Sequence, residues 1–315
     1  FFHIVSVPIL RKKSMTSNQS HQTLIAGSIS IDKIINKYGT YDNVLGGSAA
    51  YALLSTHKKR CQLVGVVGSD FPDQYLNLFD LHSITLDDLI VANGKTFTWG
   101  GEYTPDFSSR ETLYVNPGIA ESCLPVLSND SKQCEYLLLG NTSPNVQLAI
   151  LDQIESKPFI VLDTFKLYID IALEDLKKTM QRSDLLCINY NEALYLSKLS
   201  NPSLDDIAKC ILDMGVKSLI IKRGEEGASF FDNQNNFSIA AYYVNQVMDT
   251  TGAGDSFAGG LISSLMNGAD IREAMVEGSV MASFCIENIA HRGLISFSEE
   301  EYTLRKKWLQ SSLTT

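Results

Sequence analysis

The stretch Asp249-Thr-Thr-Gly-Ala-Gly-Asp-Ser-Phe-Ala-Gly-Gly260 lies between a segment of strand character and the apolar pattern of a helix. Gly252 and Gly254 let the backbone direct its N–H groups toward one point at the positive end of that helix, where an anion is stabilised. Asp255 lies in the same turn, although a carboxylate repels an anion. That combination is useful when the carboxylate accepts a proton from a hydroxyl that attacks the anion, as phosphoryl transfer to an alcohol requires.

Upstream of this stretch, short apolar strand patterns alternate with helical patterns. The predicted strands are Thr23–Gly27, Cys61–Val67, Tyr136–Leu139, Phe159–Leu162, Leu185–Ile188 and Ser218–Lys222. This alternation is typical of βαβ units and predicts an α/β fold with a doubly wound, mostly parallel sheet flanked by helices. Two segments, at about 31–45 and 95–117, are rich in Thr, Tyr, Phe and Gly and lack a helical period. They are predicted to form a small β-sheet lid over a site, and a pair of surface hairpins is the alternative.

The composition limits the partners of the chain. The 315 residues carry a net charge of −10, which argues against a nucleic-acid or anionic-membrane partner. Six scattered cysteines without C-x-x-C spacing indicate reduced thiols and a cytoplasmic location. Residues 1–20 are predicted to be a disordered tail. Residues 21–315 are predicted to form a single domain into which the lid segments are inserted.

Small and polar residues follow the predicted strands, at the edge where open parallel sheets bind ligands. They include Asp32, Asn141, Asp163, Asn189, Glu192, Lys222, Gly224 and Gly227. Each has a structural alternative: a helix capping box at Asn189 and Glu192, a tight turn at 222–227, and local turns at Asp32 and Asp163. The sequence has no Walker A motif, no G-x-G-x-x-G after the first strand and no G-x-S-x-G, which argues against P-loop enzymes, dinucleotide oxidoreductases and α/β-hydrolases.

These motifs, taken in order, resemble those of the ribokinase-like, or PfkB-type, carbohydrate kinases. The stretch 249–260 resembles the second signature of that family, and Gly46-Gly47-Ser-Ala-Ala50 resembles the first. Asn189-x-x-Glu192 is similar to its N-x-x-E element, and 222–227 to its nucleotide loop. The resemblance covers roughly residues 23–294. It implies a ribokinase-like domain with a β lid, the cofactors ATP and Mg²⁺, and transfer of the γ-phosphoryl group to a hydroxymethyl-type hydroxyl of a small sugar or polyol.

The resemblance also implies a role for each matching residue. Asp255 is the implied general base, and the N–H groups of Gly252, Ala253 and Gly254 are the implied anion hole. The implied nucleotide-binding residues are Asn189, Glu192, Lys222, Gly224 and Gly227, with Glu192 acting on Mg²⁺ through water. The implied contacts to acceptor hydroxyls are Asp32, Gly46 and Gly47. Asp249 and Thr251 match positions that hold a monovalent cation, usually K⁺, in some members.

Three further candidates for the acceptor site come from their positions in the chain. Asn141 and Asp163 follow strands at the ligand-binding edge, and Arg110 in the lid segment either faces an anionic acceptor or is a solvated surface residue. Tyr51 and Ser48 stand where ribokinase has asparagine and lysine, which argues against ribose as the acceptor.

Other functions are also open at the level of sequence. A nucleoside kinase on the same scaffold could stack a base on Tyr51, Phe97 or Trp99, although these aromatic residues could equally pack in the core. A non-catalytic sugar or nucleotide sensor is the third hypothesis. An exposed lid sheet would favour a homodimer that pairs through the lid.

Overall fold

A computed structural model describes residues 23–57 and 59–313. The predicted tail, 1–20, lies outside the described residues. The strands are β1 (Thr23–Ala26), β2 (Ser30–Asn36), β3 (Gly39–Gly46), β4 (Cys61–Gly68), β5 (Ile84–Ala92), β6 (Phe97–Tyr103), β7 (Arg110–Asn116), β8 (Tyr136–Leu139), β9 (Phe159–Leu162), β10 (Leu185–Asn189), β11 (Ser218–Lys222), β12 (Ala228–Phe231) and β13 (Asn236–Ile239). The helices are α1 (Ser48–Leu54), α2 (Asp73–Leu81), α3 (Pro144–Leu151), α4 (Lys166–Ile171), α5 (Leu173–Gln181), α6 (Tyr190–Ser197), α7 (Leu204–Leu212), α8 (Ala253–Leu265), α9 (Ile271–Ile286), α10 (Arg292–Ser296) and α11 (Glu299–Ser311).

The large sheet confirms the predicted fold class. Its strand order is β13-β12-β11-β10-β9-β8-β1-β4-β5, with parallel pairing from β11 through to β5. The last two strands, β12 and β13, pair antiparallel. The order reverses at β1, because β4 and β5 lie on one side of it and β8 to β11 on the other. Ligands of open α/β sheets bind beside such a reversal, outside the carboxyl ends of the strands.

Helices cover both faces of this sheet. In β1, Ile25 belongs to the hydrophobic core that includes residues of α1, α8 and α9, whereas Leu24 and Ala26 belong to the core that includes residues of α3, α5 and α7. All three side chains are fully buried. A central parallel strand is therefore apolar at every position, which is why such strands appear as short continuous apolar runs in the sequence.

The two predicted lid segments form a second sheet with the order β3-β2-β6-β7. The pairs β2–β3 and β6–β7 are antiparallel, whereas β2 and β6 are parallel. Every residue of the edge strand β7 is exposed. This small sheet confirms the predicted β lid as a feature of the fold.

Two details of the fold differ from the sequence prediction. The strand β5 pairs parallel with β4 but was not predicted, because two aspartates, Asp87 and Asp88, interrupt its apolar pattern. Asp88 is buried and accepts a hydrogen bond from the N–H of Ser128 at 2.8 Å, so the large sheet tolerates it. The apolar periodicity of residues 168–181 predicts one helix, whereas the structure has two, α4 and α5, which are divided at Ala172. Among the described residues, none of the helices combines the length and apolar character that a membrane span requires.

Candidate active site

A cleft of about 1530 Å³ lies between the lid and the carboxyl edge of the large sheet. The predicted site residues that line it are Asp32, Gly47, Arg110, Asn141, Asp163, Asn189, Glu192, Lys222, Gly224, Thr251, Gly252, Ala253, Gly254 and Asp255. The other three predicted residues, Gly46, Gly227 and Asp249, do not line the cleft. The fold thus brings together residues from all the motifs, over more than 200 positions of sequence.

The turn before α8 is shaped by Gly252. Its φ of 76° is left-handed, and a Cβ atom there would lie 2.2 Å from the ring of Tyr51, so a side chain is excluded on two grounds. The N–H of Ala253 donates to the carbonyl of Thr250 at 3.3 Å, and the N–H of Ser256 donates to the carbonyl of Gly252 at 2.8 Å. Because the first N–H groups of a helix lack intrahelical acceptors, those of Gly254 and Asp255 remain available to an anion.

An ion pair lies beside this turn. The Nζ atom of Lys222, at the end of β11, donates to Oδ2 of Asp163, which follows β9, at 2.7 Å, and it lies 3.5 Å from the carbonyl oxygen of Gly254. Both charged side chains are largely buried. Burial raises the pKa of Asp163, and the positive charge of Lys222 opposes that shift. The predicted acceptor residue Asp163 therefore lies beside the turn that precedes α8, where it pairs with the lysine.

Two carboxyl groups near this ion pair, those of Asp255 and Glu192, have raised pKa values. Burial raises the pKa of Asp255 to about 7, the charge of Asp163 adds to the shift, and Lys222 opposes it. Burial likewise raises the pKa of Glu192 to about 7. A carboxyl group with a pKa close to neutrality can take up a proton efficiently at physiological pH, so Asp255 has the acidity of a general base.

The capping box expected at the start of α6 is present. Oδ1 of Asn189 accepts from the N–H of Glu192 at 2.9 Å, and Oε2 of Glu192 accepts from the N–H of Asn189 at 3.5 Å. The cap fixes both side chains in positions where they line the cleft. Their oxygen atoms are the type of ligand that Mg²⁺ and its water shell prefer. Among the described residues, no group of three or more His, Cys, Asp or Glu side chains forms a metal cage.

Asp32 in β2 also lines the cleft and is buried at 5% exposure. Its Oδ1 atom has no hydrogen-bond partner among the described residues, and burial raises its pKa to about 7. The carboxylate lies against Gly46, where a Cβ atom would be 1.8 Å from Oδ2. Gly46, one of the two glycines of the first signature, therefore makes room for the side chain of Asp32. A buried polar atom without a partner is suited to receive a group from a ligand.

The junction after Gly47 connects α1 to the middle of the large sheet. The N–H of Ser48 donates to Oγ of Ser28 at 3.0 Å, and Oγ of Ser48 donates to the carbonyl of Asn141 at 2.9 Å. The Oδ1 atom of Asn141 is buried and has no partner among the described residues. Asn141 and Asp32 thus both line the cleft, and each has one buried oxygen without a hydrogen-bond partner among the described residues.

Arg110 combines the two alternatives that the sequence left open. It lies on an exposed strand, yet it lines the cleft. Its guanidinium carbon lies 4.8 Å from the ring centroid of Trp99 in the lid and 5.5 Å from that of Phe165, which belongs to the large sheet's edge. No role for Phe165 follows from the sequence motifs. Its place directly after the Asp163-Thr164 pair, at the end of β9, is the signal that could have indicated it.

Asp249 is fully buried and stabilises the start of the turn. Its Oδ1 atom accepts from the N–H of Thr251 at 2.9 Å and from Oγ1 of Thr251 at 2.6 Å, and its Oδ2 atom accepts from the N–H of Ala290 at 2.9 Å. Protein donors thus engage both oxygens of the carboxylate. The K⁺ site expected at Asp249 and Thr251 stays a prediction.

Comparison with known proteins gives the family. The model of the pfkB family carbohydrate kinases matches residues 22–295. A cytidine kinase of Thermococcus kodakarensis is 24% identical over 258 residues, which cover 80% of this chain and 91% of that protein. An uncharacterised sugar kinase of Archaeoglobus fulgidus is 26% identical over 240 residues, which cover 73% of this chain and 92% of that protein.

Solved structures show the same fold. An Escherichia coli protein, provisionally named Ribokinase II, in complex with ATP and Mg²⁺ superposes with a TM-score of 0.75 at 19% identity, covering 92% of this chain and 99% of that one. A Burkholderia thailandensis nucleoside kinase in complex with inosine gives a TM-score of 0.72 at 19% identity, again covering 92% and 99% of the two chains.

Proposed function

The chain belongs to the pfkB family of carbohydrate kinases, and from this premise we propose that it transfers the γ-phosphoryl group of ATP to a hydroxymethyl-type hydroxyl of a small sugar or polyol. The observation that carries the proposal is the position of Asp255. It lies in the first turn of α8, next to N–H groups that are free to bind an anion, in a cleft that is also lined by Asp32 and Asn141, each with a buried oxygen that lacks a partner among the described residues.

The residues around the turn before α8 form the proposed anion-binding end of the cleft, and they fit a nucleotide with a divalent cation. The left-handed turn at Gly252 leaves a cradle of backbone N–H groups, and Lys222 adds a positive charge beside it. Asn189 and Glu192 supply oxygen ligands for Mg²⁺ and its water, and Gly224 gives the phosphates close access to the backbone. In this proposal Gly227 shapes the nucleotide loop from behind, since its N–H bonds the carbonyl of Gly224. Bound ATP would supply the phosphoryl group, and Mg²⁺ would neutralise the negative charge of its oxygens.

The side chains then have distinct tasks. Asp255 orients the acceptor hydroxyl and takes its proton, because its pKa near 7 leaves it ionised in part of the molecules at neutral pH. Asp32 and Asn141 accept hydrogen bonds from other acceptor hydroxyls, and the backbone at Gly47 lies close to the acceptor. Arg110 and the lid sheet cover the acceptor end of the cleft, where Asp32 and Asn141 lie. They exclude water from it, which limits hydrolysis of ATP.

An ADP-release screen tests the proposal. Purified protein with ATP and Mg²⁺ is offered a panel of pentoses, hexoses, inositols and other polyols, and nucleosides, with acceptor-free protein as the blank. We expect at least one sugar or polyol to raise ADP formation well above the blank. Tight binding of nucleotide and sugar without ADP formation from any acceptor would instead favour the sensor hypothesis.

A nucleoside kinase is the second candidate, because aromatic side chains line the acceptor end of the cleft. Phe97 and Trp99 from β6 and Phe165 from the sheet edge all face it, and aromatic rings can stack on a base. Tyr51 is a poor stacking surface, since it is 1% exposed and packs under Gly252. The names of two similar proteins, a cytidine kinase and a nucleoside kinase, point in the same direction. Turnover of cytidine or adenosine but of no free sugar in the screen would establish this alternative.

Two minor proposals accompany the main one. Activation by K⁺ at Asp249 and Thr251 predicts faster turnover in KCl than in an equal concentration of tetramethylammonium chloride. A lid-mediated homodimer is supported by the exposed edge strand β7, in which Leu113 and Val115 are 43% and 46% exposed. Light scattering of the wild-type protein and of a Leu113→Lys variant tests the dimer, which the substitution should dissociate.

A further inference from the structure

One corner of the lid is hydrogen-bonded to the turn that begins α8. Tyr103 and Arg110 are cross-strand neighbours at the end of the β6–β7 hairpin. The hydroxyl of Tyr103 lies 2.7 Å from Oγ1 of Thr251, and both side chains are buried at 7% exposure. A lid residue is thus in direct contact with the residue that precedes Gly252.

The direction of this hydrogen bond follows from the neighbouring one. Oγ1 of Thr251 lies 2.6 Å from Oδ1 of Asp249, and a carboxylate oxygen can only accept. The single hydroxyl proton of Thr251 is therefore donated to Asp249, and Tyr103 donates to Thr251. The N–H of Thr251 also donates to Oδ1 of Asp249, at 2.9 Å. Thr251 is consequently held by its backbone and by its side chain.

The chain of hydrogen bonds continues beyond the turn. Oδ2 of Asp249 accepts from the N–H of Ala290, which has a left-handed φ of 52°. Three segments that are distant in sequence are therefore linked: the lid contacts Thr251, and Thr251 and Ala290 both donate to the buried carboxylate of Asp249. Since Thr251 directly precedes Gly252, a shift of Thr251 changes the direction of the N–H groups at the start of α8.

We propose that Tyr103 is a positioning residue that joins the lid to the anion-binding turn, so that displacement of the lid corner displaces the N–H groups of Gly254 and Asp255. The role of those N–H groups as a phosphate site rests on the proposed function, whereas the mechanical link does not. Beside this buried link, the guanidinium of Arg110 stacks between Trp99 and Phe165, which adds a second contact between the same corner and the large sheet.

Hydrogen exchange of the ligand-free protein tests the link directly. The substitution Tyr103→Phe keeps the ring and removes only the hydroxyl. The hydrogen-bonded amides of Thr251, in the turn, and of Ser256, at the start of α8, both lie outside the lid. We expect them to exchange roughly fivefold faster, as loss of one buried hydrogen bond predicts. A residue that only fills space would leave these amides unchanged.

The control is Tyr114→Phe, a second tyrosine of the same hairpin. The ring of Tyr114 lies over Gly100, and the side chain is 37% exposed and does not line the cleft. Exchange in 250–256 should match the wild type in this variant. Equal exchange at Thr251 and Ser256 in Tyr103→Phe and in the wild type would overturn the proposal, whether or not the protein proves to be a kinase.

A double-mutant cycle provides the second test. If Tyr103 acts through Thr251, the effects of Tyr103→Phe and Thr251→Val on exchange in the turn will be clearly smaller together than their sum. Strictly additive effects would contradict the link. Once an acceptor is known, Tyr103→Phe should lower kcat by more than it raises the KM of the acceptor. Absence of ADP binding by the wild type would count against the proposed function alone and leave the exchange result standing.

Discussion

The proposed anion-binding end of the cleft consists of backbone N–H groups and an ion pair inside the α/β body, whereas the proposed acceptor end consists of side chains from the lid strands β2 and β7 and from the loop after β8. The groups of the anion-binding end come from a few adjacent residues and from strands that end at the same edge of the large sheet. Those of the acceptor end belong to Asp32, Asn141 and Arg110, which come from three different segments. The difference suggests that the first end sets the reaction class and the second end sets the acceptor.

The largest effect is expected from Asp255→Asn, which removes the proposed base without changing the shape of the side chain. Turnover should fall by about a hundredfold or more, the usual contribution of a general base, while nucleotide affinity and thermal stability stay close to those of the wild type. Asp213→Asn, an exposed carboxylate at the end of α7, is the control. Near-normal turnover in Asp255→Asn would show that Asp255 is not the base. The proposed division of the cleft into an anion-binding end and an acceptor end would then lose its support.

The second substitution breaks the buried ion pair. Lys222→Met leaves Asp163 without its partner, and removal of one member of a buried pair costs about 3 kcal/mol of the free energy of unfolding. Denaturant titration measures this cost, and Lys217→Met tests the comparison, since Lys217 forms an ion pair with Asp184 that is more exposed. That control should cost less than about 1 kcal/mol. Similar losses in both variants would mean that the anion-binding end is less preorganised than the structure indicates.

The third substitution separates backbone strain from lost space. Gly252 and Gly268 have similar left-handed φ values, 76° and 81°, but a Cβ atom at Gly268 would meet nothing within 4 Å. Gly268→Ala should therefore cost only the strain of the conformation, about 1 kcal/mol. Gly252→Ala should cost about 2 kcal/mol more, because the new methyl group overlaps the ring of Tyr51. Equal destabilisation of the two variants would show that the turn can move away from Tyr51.

The last prediction concerns pH. The pKa of Asp255 is raised to about 7 by burial and by Asp163 and Glu192, against Lys222 and Arg110. A base works in its ionised form, so kcat/KM should rise with pH up to about 7 and then level off, with about a tenfold loss per unit below it. An initial-rate profile between pH 5 and pH 9 measures this dependence. A rate that stays constant down to pH 5 would show that Asp255 is ionised throughout, and hence better solvated than the static cleft suggests.

The sequence predicted the strands of the large sheet well and the contacts between the lid and that sheet less completely. Each of the six strands predicted between Thr23 and Lys222 was found within one residue of its expected ends, because a buried parallel strand must be a short apolar run. By contrast, no local pattern relates Tyr103 to Thr251, which lie 148 positions apart, or Phe165 to Arg110. Whether Gly46 contacts a ligand or makes room for Asp32 also depends on a neighbour from another strand.

The sequence alone determined the reaction class, since a glycine turn and a carboxylate at the start of a helix are local features whose geometry follows from the residue types. Only the tertiary structure decided which side chains face that turn and what protonation state they favour. Burial raises the pKa of Asp32, Glu192 and Asp255 to about 7. Desolvation of this kind arises from the packing of distant segments around a carboxyl group, and no neighbour in sequence specifies it.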